Sequence, residues 1–270
     1  MILHSINSYL KFLWNSKNQH GVHSPFVYNL LTKCFYDKTN YEEYSILKSY
    51  RNALLAKNET IEVTDFGAGS RVFQSNTRPI NQIAKNAGIS PKRAKLLFRI
   101  VYYFQPNSVL EIGTSLGLAT SALALGLDAK TDKTKLNKNA TITTLEGCPN
   151  TALIAKTQCQ LQNFNNIEFV NTEFSSYLSS QSPIPNPQDL IYFDGNHSQK
   201  ATLEYFELLL PTSTNNSVWI FDDIHWSKDM EDAWEIIRNH PKVTVTIDTF
   251  QWGIVFFRNE QKKEHFVIRT

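Results

Sequence analysis

The sequence predicts a doubly wound α/β fold: a mostly parallel sheet of seven strands with an antiparallel last strand, preceded by an N-terminal helical cap. Three observations carry this reading. Short apolar runs alternate with helix-length segments from residue 108 onward, polar stretches near 127–140, 181–188 and 212–216 separate them, and the last two β-rich runs are joined by only Phe250 and Gln251. Such alternation is the mark of a parallel sheet covered by helices on both faces. The two-residue joint permits only antiparallel pairing, because a parallel return needs a crossover of about a dozen residues or more.

The elements follow in order. Before residue 60, aromatic and aliphatic residues recur at three- and four-residue steps (Tyr9, Leu10, Leu13, Trp14, then Phe26, Val27, Leu30, Leu31, Phe35), so this part reads as helix and not as sheet. Ser90-Pro91 supplies an N-cap and a proline at the first helical position, and Ala94, Leu96, Leu97, Ile100, Val101 and Phe104 share one apolar face, which predicts a helix over 90–105. Strands are predicted at 108–113, 141–146, 167–171, 189–194 and 217–222, with helices near 117–127, 149–163, 173–180 and 197–210 between them. A helix near 228–239 then leads into the strand pair 243–249 and 252–258. On this reading the chain divides into a cap, 1–78, and an α/β domain, 79–270.

Composition limits the function classes. With 270 residues, 41% hydrophobic and 12% aromatic, the chain has enough apolar side chain for a full core, which excludes global disorder. Its 27 Lys and Arg against 25 Asp and Glu leave a net charge of +2, too little basic surplus to follow a nucleic acid backbone, so no nucleic-acid partner is expected. Cys34, Cys148 and Cys159 show no metal-ligand spacing and cannot all pair, which suits a reduced, cytoplasmic compartment. No run approaches the roughly 20 apolar residues of a membrane span, and the N-terminus lacks the basic and unbroken apolar regions of a signal peptide. A soluble protein without a membrane partner is expected.

In open parallel sheets, ligands bind beyond the carboxyl ends of the strands. The first strand ends in Glu111-Ile112-Gly113-Thr114-Ser115-Leu116-Gly117, and an apolar helix opens at once. Glycine on both sides of this turn lets the backbone approach a ligand closely. A dinucleotide fingerprint would need glycine at 115 and 118, where Ser115 and Leu118 stand, so the turn suits a ligand that brings no phosphate. The second strand ends in Glu146-Gly147, a carboxylate placed to accept hydrogen bonds from both hydroxyls of a ribose. The third leads into Asn171-Thr172-Glu173-Phe174, polar groups and an aromatic suited equally to flanking a nucleobase or to capping a helix. The fourth and fifth strands end in Asp194-Gly195-Asn196-His197 and in Asp222-Asp223-Ile224-His225. Three carboxylates at one sheet edge repel one another unless a cation or ligand charge offsets them, and oxygen-only ligation suits Mg, Ca or Mn.

With these residues in place, the chain over roughly 79–270 resembles the class I S-adenosylmethionine-dependent methyltransferases, in the branch containing catechol O-methyltransferase and related small-molecule O-methyltransferases. The most specific segment is Val109-Leu-Glu-Ile-Gly-Thr-Ser-Leu-Gly-Leu-Ala-Thr, with Glu-x-Gly, three residues and a second Gly, and the terminal hairpin matches the family's inserted antiparallel strand. The resemblance implies a Rossmann-like fold and in-line methyl transfer to a small-molecule acceptor, with Glu111 to Gly147 cradling S-adenosylmethionine. It places Gly113, Thr114, Ser115 and Gly117 along the methionine portion, Glu146 on the ribose, and Thr172 and Glu173 near the adenine. In metal-dependent members the acids after the fourth and fifth strands bind a divalent cation such as Mg, which points to Asp194, Asp222 and Asp223. The third ligand in that pattern is commonly Asn, so Asp223 departs from it.

The catalytic candidates are therefore Asp194, His197, Asp223 and His225. A cation would lower the acceptor hydroxyl's pKa; without one, His197 or His225 acts as general base and the acids serve the cofactor amine or the structure. Two other readings compete: a nicotinamide-dependent oxidoreductase, disfavoured by the missing third glycine, and a non-catalytic module that binds a nucleoside or a partner. A second glycine motif, Val63-Thr-Asp65-Phe-Gly67-Ala-Gly69-Ser70-Arg71, imitates a cofactor loop, but a polar stretch follows it where an apolar helix should begin. It reads as a loop on the substrate side, where Arg71 could meet an anionic group. The cap is expected to shape the acceptor pocket or a homodimer interface.

Overall fold

The computed structural model describes residues 2–64, 75–129, 140–180 and 187–270. The motif at 63–71 lies, beyond Thr64, outside the described residues. In chain order the elements are α1 (Ile2–Asn15), α2 (Pro25–Leu30), α3 (Glu43–Leu55), β1 (Thr60–Glu62), β2 (Thr77–Pro79), α4 (Ile80–Asn86) and α5 (Pro91–Phe104). The alternating part follows: β3 (Ser108–Ile112), α6 (Leu118–Asp128), β4 (Thr141–Glu146), α7 (Pro149–Leu161), β5 (Ile167–Asn171), α8 (Phe174–Ser180), β6 (Leu190–Phe193), α9 (Gln199–Leu209) and β7 (Val218–Asp222). It closes with α10 (Lys228–Asn239), β8 (Val245–Asp248), β9 (Trp252–Phe256) and β10 (Glu264–Val267). Among the described residues, no helix is long and apolar enough to cross a membrane.

The chain forms two compact units, Asp37–Phe174 and the pair of segments Met1–Tyr36 and Ser175–Thr270. In the first unit β3, β4 and β5 run parallel, with Ile112 opposite Leu145 and Glu146 opposite Asn171, so their carboxyl ends finish level. Four of the five β3 residues are buried, whereas β5 is half-exposed along its length, as an edge strand is. α5 begins where the sequence places it: Ser90 Oγ accepts the Arg93 N–H at 3.3 Å, and Pro91 occupies the first turn. Its buried residues Ala94, Leu97, Phe98 and Val101 follow the helical period.

In the second unit β6 and β7 pair in parallel and β9 runs antiparallel between β7 and β8. All residues of β6, β7, β8 and β9 are buried, so both faces of these strands are covered. The expected seven strands become eight. The additional strand, β10, pairs in parallel with β8, Val267 opposite Asp248. Its sequence Glu-His-Phe-Val is short and half-exposed, too polar to register as a core strand. The sequence places helix before residue 60 and a loop at 63–71; flanking that loop, β1 and β2 form a small antiparallel pair that the sequence reading did not include, Thr60 opposite Pro79. Three-residue strands in polar sequence leave no alternation to detect.

Candidate active site

The turn after β3 is built from residues in unusual backbone states. Gly113 and Gly117 have φ of 102° and 77°, and Ser115 between them has φ of 49°. A left-handed conformation costs a non-glycine residue roughly 1 kcal/mol or more, and it persists only when neighbours hold it. Glu146 is that neighbour. Its Oε2 accepts the Ser115 N–H at 2.6 Å and its Oε1 accepts the Cys148 N–H at 2.9 Å, so one carboxylate fastens the turns after β3 and β4 together. Burial raises the Glu146 carboxyl above its usual range, opposed by the Cys148 and Ser115 N–H donors and by hydrogen bonds from the Thr151 hydroxyl and the Gly147 N–H.

Gly117 has a second reason to be glycine. A Cβ there would lie 2.4 Å from the hydroxyl of Tyr50, which is fully buried and donates to the Leu116 carbonyl at 3.0 Å. Tyr50 thus sets the back wall of the turn. Behind it runs a buried hydroxyl chain: Thr114 and Thr144 hydroxyls stand 2.5 Å apart, and Thr144 and Thr120 each donate to Glu111 Oε2 at 2.6 Å. Glu111 is 0% exposed, and its Oε1 has no hydrogen-bond partner among the described residues. Burial pushes its carboxyl up to about 7 against the pull of the two threonines. Beyond β5, Asn171 Nδ2 donates to the Glu146 and Gly147 carbonyls at 2.7 and 3.1 Å, and the Thr172 N–H donates to the Glu146 carbonyl at 3.0 Å. Thr172 and Glu173 therefore sit at the edge of the same strand ends. The structure brings Glu111, Gly113, Thr114, Ser115, Gly117, Glu146, Gly147 and Thr172 into one region of the first unit.

In the second unit the register Phe193 opposite Phe221 sets Asp194 and Asp222 side by side at the ends of β6 and β7. Asn196 and Asp223 each adopt left-handed φ, 50° and 54°, so both strand-end turns bend sharply as the one after β3 does. His197 Nε2 lies 3.6 Å from Asp194 Oδ1, and its ring is 6.0 Å from that of Trp226. Asp222 is buried; its Oδ1 accepts the Asp223 N–H at 2.9 Å and its Oδ2 the Tyr192 hydroxyl at 3.3 Å. Among the described residues no three His, Cys, Asp or Glu converge to hold a metal ion. Both Asp222 oxygens accept from protein donors, and among the described residues no cluster that would hold a divalent cation forms around Asp194, Asp222 and Asp223.

The two candidate histidines differ. His225 donates or accepts at both nitrogens, Nδ1 to Glu231 Oε1 and Nε2 to Asp248 Oδ2, each at 2.8 Å, and its ring stacks on Phe250. Burial alone would pull its pKa down, but Asp248 and Glu231 outweigh that and hold it above the ordinary value. The two carboxylates clamp the ring from both sides and favour its protonated form. His197 has only the Asp194 carboxylate beside it in an ion pair among the described residues.

Residues 110–224 match the family model described as methyltransferase domain. The matched segment runs from β3 to the turn after β7. Solved structures with the same fold include the O-methyltransferase from Bacillus cereus in complex with SAH, with 20% identity over 82% of this chain and 92% of that one and a TM-score of 0.53. The O-methyltransferase TomG from Streptomyces achromogenes, in complex with SAM, shares 16% identity over 82% and 92%, with a TM-score of 0.55. The SAH-bound methyltransferase PaMTH1 from Podospora anserina shares 12% over 88% and 97%, with a TM-score of 0.58. No curated protein matches the sequence. These likenesses establish the Rossmann-like fold expected from the sequence.

The sequence did not point to Tyr50, Thr120, Thr144, Asn196, Glu231 or Asp248. Only Asn196 carried a local signal, since Asp-Gly-Asn after an apolar run favours a left-handed turn. The others lie on helices, strand interiors or remote strand ends, where only the fold reveals their neighbours.

Proposed function

We propose that the chain transfers the methyl group of S-adenosylmethionine to a hydroxyl oxygen of a small molecule. The observation that carries the reading is the Glu146 carboxylate joining the β3 and β4 turns inside the segment that matches the methyltransferase domain model. A carboxylate at this strand end, one strand over from the glycine turn, suits the paired hydroxyls of a ribose. Gly113, Thr114, Ser115 and Gly117 would line the methionine portion, with Glu111 behind the turn, Gly147 beside the ribose, and Thr172 and Glu173 toward the adenine. That structural relatives are O-methyltransferases in complex with SAH or SAM supports this choice of donor and of oxygen as acceptor atom.

When bound, S-adenosylmethionine supplies an electrophilic sulfonium methyl, so the protein's tasks are alignment and removal of the acceptor's proton. His197 performs the second. With Nε2–H turned to Asp194, Nδ1 is the atom that takes the hydroxyl proton, and the Asp194 carboxylate stabilises the imidazolium that forms. Asp223 and His225 shape the turn after β7. The N-terminal region, 1–78, shapes the acceptor side. Ile6, Leu10 and Trp14, which form one exposed apolar stripe on α1, favour a homodimer, and three buried free cysteines favour a reducing cytoplasm.

The test is a titration of the full chain with S-adenosylmethionine and S-adenosylhomocysteine, followed by a mass-spectrometric screen of hydroxylated small molecules for the gain of one methylene. Binding together with a methylated product is expected. Absence of binding at about 1 mM ligand, a very weak affinity for a dedicated site, overturns the reading. H197A should keep donor affinity while kcat drops by about two to four orders of magnitude.

A further inference from the structure

Helices α1 and α10 each turn one stripe toward a shared groove of about 640 Å3 within the second unit. His4, Ser8 and Lys11 recur at helical steps on α1, as do Glu231, Trp234 and Arg238 on α10. Every carboxylate on its wall is engaged. Glu231 holds His225 at 2.8 Å and is bonded by Ser8, Asp248 holds the other His225 nitrogen and the Phe250 N–H, and Glu235 holds Arg238 Nη2 at 2.5 Å. His4 Nε2 also faces Glu231, at 3.5 Å, and Lys228 pairs with Asp232.

The donors are not matched in the same way. Trp234 is 4% exposed, yet its Nε1–H has no partner among the described residues. A Cβ on Gly253 would strike Cε3, Cζ3 and Cη2 of Trp234, so the six-membered ring lies on β9 and the N–H edge points away from that strand, to the groove the side chain lines. Arg238 Nε is likewise buried without a partner, and Lys11 has no carboxylate partner among the described residues. A buried N–H without an acceptor is costly, and native structures rarely keep two in one cavity without something to accept from them. Phe12 and Val267 add apolar wall beside the Trp234 ring.

We propose that this groove is a binding site for a small organic anion, whose carboxylate or phosphate oxygens accept from Trp234 Nε1, Arg238 Nε and Lys11 while its apolar body lies on Phe12, Val267 and the indole. The site is independent of the methyl-transfer reading, and its test does not require activity. The Trp234 indole N–H resonance of the full-length protein, assigned through the backbone of α10, is followed by 15N–1H NMR during titration with benzoate, phenyl phosphate and inorganic phosphate. A saturable shift with benzoate or phenyl phosphate is expected, and whichever binds more tightly identifies the carboxylate or the phosphate source. R238Q and K11A should each weaken that binding about tenfold, the ordinary effect of losing one charge-assisted hydrogen bond. Lys11 is exposed, so K11A leaves the fold intact even where R238Q does not. No shift at about 20 mM of either organic anion, a shift unchanged in K11A, or inorganic phosphate binding as tightly as phenyl phosphate overturns the proposal.

Discussion

Glu146 Oε2 stands 2.6 Å from the amide nitrogen of Ser115, so the acid that ends β4 holds the turn that follows β3. The same carboxylate accepts the Cys148 N–H through its other oxygen. E146A removes the fastening and the acceptor positions offered to a ribose together, so affinity for S-adenosylmethionine should fall by about thirtyfold or more by calorimetry. E146Q keeps one acceptor oxygen and should lie between. Equal affinity in E146A and the parent would contradict the arrangement.

The Tyr50 hydroxyl and Gly117 make a second pair. G117A meets two costs: a φ of 77°, and a Cβ placed 2.4 Å from the Tyr50 oxygen. Together they should lower stability by about 2–4 kcal/mol in urea unfolding. Y50F removes the oxygen, so G117A should cost less in the Y50F background. The backbone cost remains, and a double-mutant cycle separates the two. A coupling of zero means the hydroxyl does not wall the turn.

What was legible in the sequence follows from period and punctuation. The strand ends at Ile112, Glu146, Phe193 and Asp222 were placed within a residue or two because buried parallel strands are unbroken apolar runs. Ser90-Pro91 marked the start of α5 by capping chemistry alone. By contrast β10 carries two charged or polar residues in four, and β1 and β2 are three residues each, below the length at which alternation shows. At the site, Glu146 was legible because it ends a strand beside a glycine turn. Its partner atom, the Ser115 N–H, was not, because a backbone amide has no sequence signature. His225 read as a general base for the same reason: Asp248, which shares it with Glu231, lies on another strand.

The Glu111 carboxyl ties stability to pH. It titrates near 7 in the folded chain against an ordinary value of 4.5, so between these values the folded state binds more protons than the unfolded one, and stability falls as pH rises. The loss should be complete above about pH 7 and on the order of 3 kcal/mol. E111Q keeps an oxygen for Thr120 and Thr144 and cannot ionise. Its urea midpoint should exceed that of the parent at pH 8 and converge toward it, or fall below it, near pH 4.5. A parent–variant difference that does not change across this range would refute the buried ionisation.

The His225 clamp weakens in the same direction, as pH rises. Its pKa is raised above the ordinary 6.5 by Asp248 and Glu231, which outweigh burial, so its contribution is fully present below about pH 6.5 and is lost as pH rises through the folded value. Glu231 is held below its ordinary 4.5 by Ser8, His225 and His4 against burial, so its own share is present above that value and is lost on further acidification. The clamp is therefore strongest between about pH 4.5 and 6.5. Replacing His225 leaves two partly buried carboxylates, Glu231 and Asp248, without their cation, and H225Q should cost about 2–3 kcal/mol at pH 6. As pH rises through the folded value and the parent imidazole loses its charge, the difference should shrink toward about 1 kcal/mol, the worth of neutral hydrogen bonds. Thermal unfolding of parent and H225Q from pH 5 to 9 measures both. A gap that stays constant with pH would mean that His225 is bound as a neutral ring and that the two acids do not hold it as a cation.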